Sequence, residues 1–101
     1  MFTLKMLILH FMLWAASQGY YGDVTQYHFV DIGAQPDYLE ISFGSTNAIF
    51  DLGLDGSIYD HGLFFNSGHV VPKEEVNQNI TRYINDNPVE AGKIYTYVLN
   101  N

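Results

Sequence analysis

The chain of 101 residues contains no cysteine, which excludes disulfide bonds, thiolate metal sites, iron–sulfur clusters and cysteine nucleophiles. It also lacks a glycine-rich phosphate-binding motif, so no nucleotide cofactor is expected. Basic residues are scarce, because four lysines and arginines stand against eleven carboxylates and the formal net charge is −7. A surface of that sign repels phosphate backbones and attracts basic proteins, so we predict no direct binding to nucleic acid.

The apolar content of the chain is high enough for a folded core. Hydrophobic residues make up 48% of the sequence and aromatic residues 16%, which is far more than a disordered acidic tail would carry. No internal repeat or low-complexity tract divides the chain. Since this length corresponds to one domain, we predict a single domain over residues 1–101.

Residues 1–17 have two interpretations. They contain one lysine, an apolar run from Met6 to Trp14 and then small residues, which is the layout of a secretory signal peptide cleaved after Ser17. Cleavage would leave residues 18–101 as a secreted or periplasmic domain. The same segment is rich in leucine, methionine and alanine, which favours a buried helix that stays in a cytoplasmic protein. The apolar run is too short to span a bilayer, so we expect no stable membrane insertion under either interpretation.

Strand patterns occupy the middle of the chain. Tyr27 to Ile32 has the aromatic and β-branched content of a strand, and Tyr38 to Phe43 alternates so that Leu39, Ile41 and Phe43 share one face. Short turns rich in glycine, asparagine and aspartate join the runs that follow, up to Val71. This pattern predicts an antiparallel β-meander of four to five strands.

Two further elements are predicted after the meander. Pro72 suits the start of a helix, and the residues that follow place apolar side chains at helical spacing until Asn87 and Pro88 end the pattern. The β-forming side chains of Lys93–Leu99 predict a last strand. The predicted fold class is therefore α+β: a meander with an N-terminal apolar helix or cleaved leader, and one amphipathic helix in the C-terminal half.

Catalytic and metal-binding patterns are weak in this sequence. Asp60, His61 and His69 would converge on one side of the meander in a small metal-dependent hydrolase. For hydrolysis, Ser67 would be the nucleophile of a triad with His69 and Asp60, or Asp51 and Asp60 would act as acid and base. No HExxH helix or nucleophile elbow supports that chemistry. We therefore predict that the protein is not an enzyme and binds neither a metal nor another cofactor, and keep the hydrolase as an alternative.

Eight tyrosines are the most informative positive feature, because tyrosine buries a ring and keeps a polar tip, which suits protein interfaces. Together with the acidic charge they predict a small inhibitor or immunity protein that occludes a basic protein partner, such as a nuclease or nucleic-acid-binding protein. A secreted or periplasmic domain for ligand binding or surface interaction is the other alternative. Carboxylates beside aromatic residues in exposed turns are the predicted binding residues: Asp37, Tyr38, Asp55, Tyr59 and Asp60.

Overall fold

The computed structural model describes residues 3–31, 33, 37–44, 48–61 and 68–101. Within these ranges a five-stranded antiparallel sheet carries helices on one face, and its strands lie side by side in chain order. The strands are β1 (Val24–Val30), β2 (Tyr38–Phe43), β3 (Ala48–Gly53), β4 (Ile58–Asp60) and β5 (Val70–Val71). The helices are α1 (Leu4–Ser17), α2 (Lys73–Asp86) and α3 (Pro88–Asn100). The predicted α+β class and antiparallel meander are confirmed.

Helix α1 forms the centre of the core. Thr3 caps its first turn, because the threonine hydroxyl accepts a hydrogen bond of 3.2 Å from the Met6 amide. The Phe11 ring lies 4.9 Å from the ring of Phe50 and 5.3 Å from that of Phe43, centroid to centroid. The buried side chains of α1 surround most of its C-terminal half: Leu7, Phe11, Met12, Leu13, Trp14, Ala15 and Ala16. A helix that is apolar nearly all round belongs inside a domain, as the second interpretation of residues 1–17 requires.

The predicted alternation in β2 is confirmed. Leu39, Ile41 and Phe43 are buried against the helices, whereas the side chains between them are half-buried on the opposite face. Strand β1 begins three residues earlier than predicted and ends at Val30, and Ile32 lies outside the described residues. The alternation divides the sheet into an inner face toward the helices and an outer face away from them.

Helix α2 confirms the helix predicted after Pro72. Proline stands at the N-terminal cap, and Val76, Ile80 and Tyr83 are buried along one stripe. The helix contacts α1, and α3 contacts both of them. The three helices therefore pack on one another, and we call them together the helical layer.

The strand predicted for Lys93–Leu99 is wrong, because this segment is the C-terminal part of α3. Pro88 occupies the first turn of that helix, and Ala91, Ile94 and Val98 recur at helical spacing in the hydrophobic core. Packing against α1 thus overrides the β propensity of the segment. Tyr95 and Tyr97, which a strand would place on one face, are separated by about 200° around a helix.

His10 joins α1 to the turn between β3 and β4. Its Nε2 lies 2.9 Å from the carbonyl oxygen of Gly56, at a glycine whose φ is +94°. Burial lowers the pKa of His10 below its ordinary value of 6.5; nearby Lys73 lowers it further, and the hydrogen bond to Gly56 opposes part of the shift. A neutral ring donating to the Gly56 carbonyl is therefore the form that the fold favours.

This burial predicts a pH dependence of stability that His10→Gln should reduce. The folded chain binds a proton at His10 less readily than the unfolded chain does. The contribution of His10 to the free energy of unfolding is therefore complete above the ordinary pKa of 6.5 and declines as the pH falls below it. Glutamine keeps an amide donor for Gly56 but does not titrate. Urea unfolding of both proteins at about pH 7.5 and about pH 5.5 measures the difference. An equal loss of free energy of unfolding in both proteins would contradict this assignment.

Candidate binding surface

A row of side chains crosses the outer face of the sheet. The register places His28 opposite Glu40, Glu40 opposite Asp51, and Asp51 opposite Tyr59. Val70 continues the row on β5. We call these five residues the outer row. Because neighbouring strands lie about 4.8 Å apart, the row extends for about 19 Å across the sheet.

Each of the two carboxylates of the outer row has a histidine beside it. The Nε2 atom of His28 lies 3.4 Å from Oε1 of Glu40, and Nε2 of His61 lies 2.7 Å from Oδ2 of Asp51. The Tyr59 ring packs edge-on against His61, with ring centroids 4.5 Å apart. Glu40 and Asp51 are partly buried, with 33% and 20% of their side chains exposed, so water screens their charges less than at a free surface.

Tyr38 lies next to these carboxylates, one position along β2 from Leu39 and on the outer face. Partial burial raises the pKa of Tyr38, and the negative charges of Asp51 and Glu40 raise it further. The phenol therefore keeps its proton at neutral pH and is available as a hydrogen-bond donor beside two acceptors.

Of the predicted binding residues, Tyr38 and Tyr59 lie on the outer face, and Asp37 is exposed directly before β2. Asp55 is also exposed, but its carboxylate shapes the turn: Oδ1 accepts a 2.9 Å hydrogen bond from the Ser57 amide, and Oδ2 one of 3.1 Å from the Ser57 hydroxyl. In a meander the β1–β2 connection and the β3–β4 turn lie at the same end of the sheet. Asp37 and Asp55 therefore extend the acidic surface at that end.

The expectation that Asp60 is an accessible carboxylate is wrong. Its exposed fraction is 0%, because alternation along β4 turns Ile58 and Asp60 inward and Tyr59 outward. The same alternation separates Asp60 from His61, whose ring lies on the outer face with Asp51. His69 contributes its backbone carbonyl to β4, accepting a 3.0 Å hydrogen bond from the Asp60 amide.

The convergence that a hydrolase would need is not formed by these residues. Within residues 3–31, 33, 37–44, 48–61 and 68–101, no group of three or more histidine, aspartate or glutamate side chains is placed to hold a metal ion. Ser67, the candidate nucleophile, lies outside the described residues. The described geometry thus gives no support to the hydrolase alternative.

Sequence reasoning missed the central position of Glu40 and Asp51. A signal was present, because Asp51 stands between the apolar Phe50 and Leu52, as Glu40 does between Leu39 and Ile41. Such alternation places a carboxylate on the outer face of each strand. Their position opposite each other depends on the β2–β3 register, which a single sequence does not specify.

Charge is divided unevenly between the two layers. The lysines and arginines are Lys5, Lys73, Arg82 and Lys93, and all four lie in the helices. The helices carry an equal number of carboxylates: Glu74, Glu75, Asp86 and Glu90. The other seven carboxylates fall within residues 18–71, where the sequence contains no lysine or arginine. The net charge of −7 therefore belongs entirely to the segment that forms the sheet.

Comparisons of this chain with protein-family models, with curated proteins and with solved structures find no match. In the part of the chain that the structure describes, the helices are too short or too polar to cross a membrane. The acidic outer face of the described residues is therefore the feature on which the proposed function rests.

Proposed function

We propose that this chain is a small binding protein whose acidic sheet face occludes a basic protein partner, in the manner of an inhibitor or immunity protein. The observation that carries the proposal is the concentration of the whole net charge in residues 18–71, with Glu40 and Asp51 at the centre of the outer face. A surface of one sign speeds the encounter with a partner of the opposite sign and disfavours other partners.

The partner class follows from charge and chemistry. A nuclease or a nucleic-acid-binding protein presents lysines and arginines to phosphate groups, and a carboxylate row is complementary to the same side chains. Tyr38 and Tyr59 flank the carboxylates and supply ring surface with a polar tip, which is the combination found at interface hot spots. Covering the basic surface of such a partner would block its access to nucleic acid.

In this proposal the protein acts in the cytoplasm with residues 1–17 retained, because α1 supplies a large part of the core. A secreted domain would have to fold without that helix. The proposal needs no catalytic group, metal or cofactor.

The double variant Glu40→Gln/Asp51→Asn tests this proposal. The two substitutions keep side-chain size and remove two negative charges from the outer row, so we expect affinity for the basic partner to fall about tenfold or more. Tagged wild-type chain would first capture proteins from native-host lysate at low salt. The captured basic protein would then be purified, and its dissociation constant and activity measured with each variant at several salt concentrations.

The matched control is Glu74→Gln/Glu75→Gln, which removes the same charge from exposed positions of α2. We expect this variant to bind nearly as tightly as the wild type, since the helical layer is not part of the proposed surface. Two results would refute the proposal: capture of no basic protein at low salt, or equal weakening by the two double variants.

A further inference from the structure

The edge of the sheet at β1 is an open pairing surface. In the described part of the chain β1 pairs with β2 and with no other strand. The five residues from Thr25 to Phe29 are all exposed, although strand-forming residues of a small domain usually bury one face. An exposed edge of this length is a template for another strand.

The edge has a register shift between Val24 and Gln26, which can oppose pairing there, but it lacks the charges and prolines that protect most edge strands. Val24–Val30 contains no proline, lysine, arginine or carboxylate. Natural edge strands commonly carry a charge or a proline to block association. On a chain with a net charge of −7, an uncharged strand is also where a second copy of the same chain meets the least repulsion.

Apolar surface adjoins the edge on the inner face. Tyr27 and Phe29 pair with Ile41 and Leu39 and thus point to the helix side, yet 49% and 55% of their surface is exposed. Tyr27 forms one wall of a groove of about 240 Å³ between β1 and the helices, and Leu4, Ile8 and Tyr97 lie on its helical side. The helical layer therefore stops short of the edge strand β1 and leaves the aromatic rings of that strand partly uncovered.

We infer that a second copy of this chain covers the edge, through antiparallel pairing of β1 with β1 about a two-fold axis at His28. This register places Tyr27 opposite Phe29 of the second copy, and Phe29 opposite its Tyr27, giving two aromatic cross-strand pairs. A register centred on Tyr27 would instead place Asp23 opposite Asp31 twice, which like charges disfavour. The dimer has one continuous sheet of ten strands, with both helical layers on the same side.

The size of the contact predicts a reversible dimer. Tyr27, Phe29 and Tyr97 each leave roughly 100 Å² of ring surface exposed, since a whole aromatic side chain covers about 200 Å². With the paired backbone, about 500 Å² is buried per copy, or about 1,000 Å² in total, which is below the standard size and in the range of weak or transient interfaces. We therefore expect dissociation in the micromolar range. This inference is independent of the proposed function, because it rests on the strand edge and not on the carboxylates.

Sedimentation equilibrium of the wild type and Phe29→Lys tests the dimer. Lysine at this exposed position places two cations in the contact, so we expect a folded monomer by circular dichroism and a dissociation constant at least about tenfold higher. The matched control is Val70→Lys on the opposite edge strand, where a side chain of similar exposure, 52%, receives the same charge. It should dimerise like the wild type. A wild type that is monomeric up to about 100 μM, or a dimer that Phe29→Lys leaves intact, would overturn the inference.

The register is tested by His28→Cys, which the absence of native cysteine makes unambiguous. Residue 28 faces its own copy across the axis at a Cα separation within the range that a disulfide spans. We expect mild oxidation to yield a covalent dimer of this variant, visible on a non-reducing gel, but not of Val70→Cys. If both variants cross-link equally or neither does, β1 pairing about His28 is wrong, whatever the state of Phe29→Lys.

Discussion

A chain that begins at Gln18 is expected to be unfolded. Helix α1 contributes seven of the twenty buried apolar side chains among the described residues, and five of these are large. Burying each large side chain contributes about 2 kcal/mol, so losing five removes roughly 10 kcal/mol. That is comparable to the whole stability of a small domain, which is about 5–15 kcal/mol.

Circular dichroism and urea unfolding of residues 18–101 beside the full chain measure this effect. The full chain should unfold cooperatively, and the truncated chain should show no transition. A cooperative transition in the truncated chain would show that the sheet folds alone and would favour the signal-peptide interpretation. The intact mass of protein from its native host gives an independent answer, and we expect it to include α1.

Phe11→Ala is expected to destabilise the fold by about 3–5 kcal/mol. The ring is fully buried, packs edge to face against Phe43 and lies at a tilt against Phe50, so it joins α1 to two strands at once. Aromatic pairs of this kind contribute beyond the area that they bury. The loss would lower the midpoint of urea unfolding by a molar or more, given a slope of about 1–3 kcal/mol per molar.

Met6→Ala on the same helix is the control, because Met6 is 46% exposed. Alanine has good helix propensity, so the change should alter the free energy of unfolding by less than about 1 kcal/mol. Equal effects of the two substitutions would mean that the Phe11 side of α1 is not the one that meets the sheet.

The predictable part of the fold is the part with clear periodicity. Alternation in Tyr38–Phe43 and helical spacing after Pro72 each specify an element and its buried face, and both are confirmed. The strand predicted for Lys93–Leu99 was wrong because isoleucine, tyrosine and valine favour strands locally, whereas Ala91, Ile94 and Val98 are spaced to pack as a helix on α1. Pro88 was the cue to a helix, since it is as well suited to begin one as to end the one before.

The candidate surface was less predictable than the fold. The rule of choosing carboxylates beside aromatic residues in turns selected Tyr38 and Tyr59, which lie on the outer face. It also selected Asp60, which strand alternation turns inward with Ile58. The outer row depends on the registers of four strand pairs, each set by contacts between distant residues. The separation of charge between the helices and the sheet can be predicted without knowing the strand register. It becomes evident once the sheet-forming segment is known to lie between the helices in sequence.

Because the helical layer is electrically neutral and the sheet layer carries all of the net charge, the centre of charge is displaced from the centre of mass toward the sheet. A positively charged surface therefore exerts a torque on the molecule before contact and turns the sheet toward itself. The effect acts over about one Debye length, roughly 8 Å at physiological ionic strength. Most encounters with a cationic surface would then begin in one orientation, and added salt would randomise that orientation before it abolished attraction at contact.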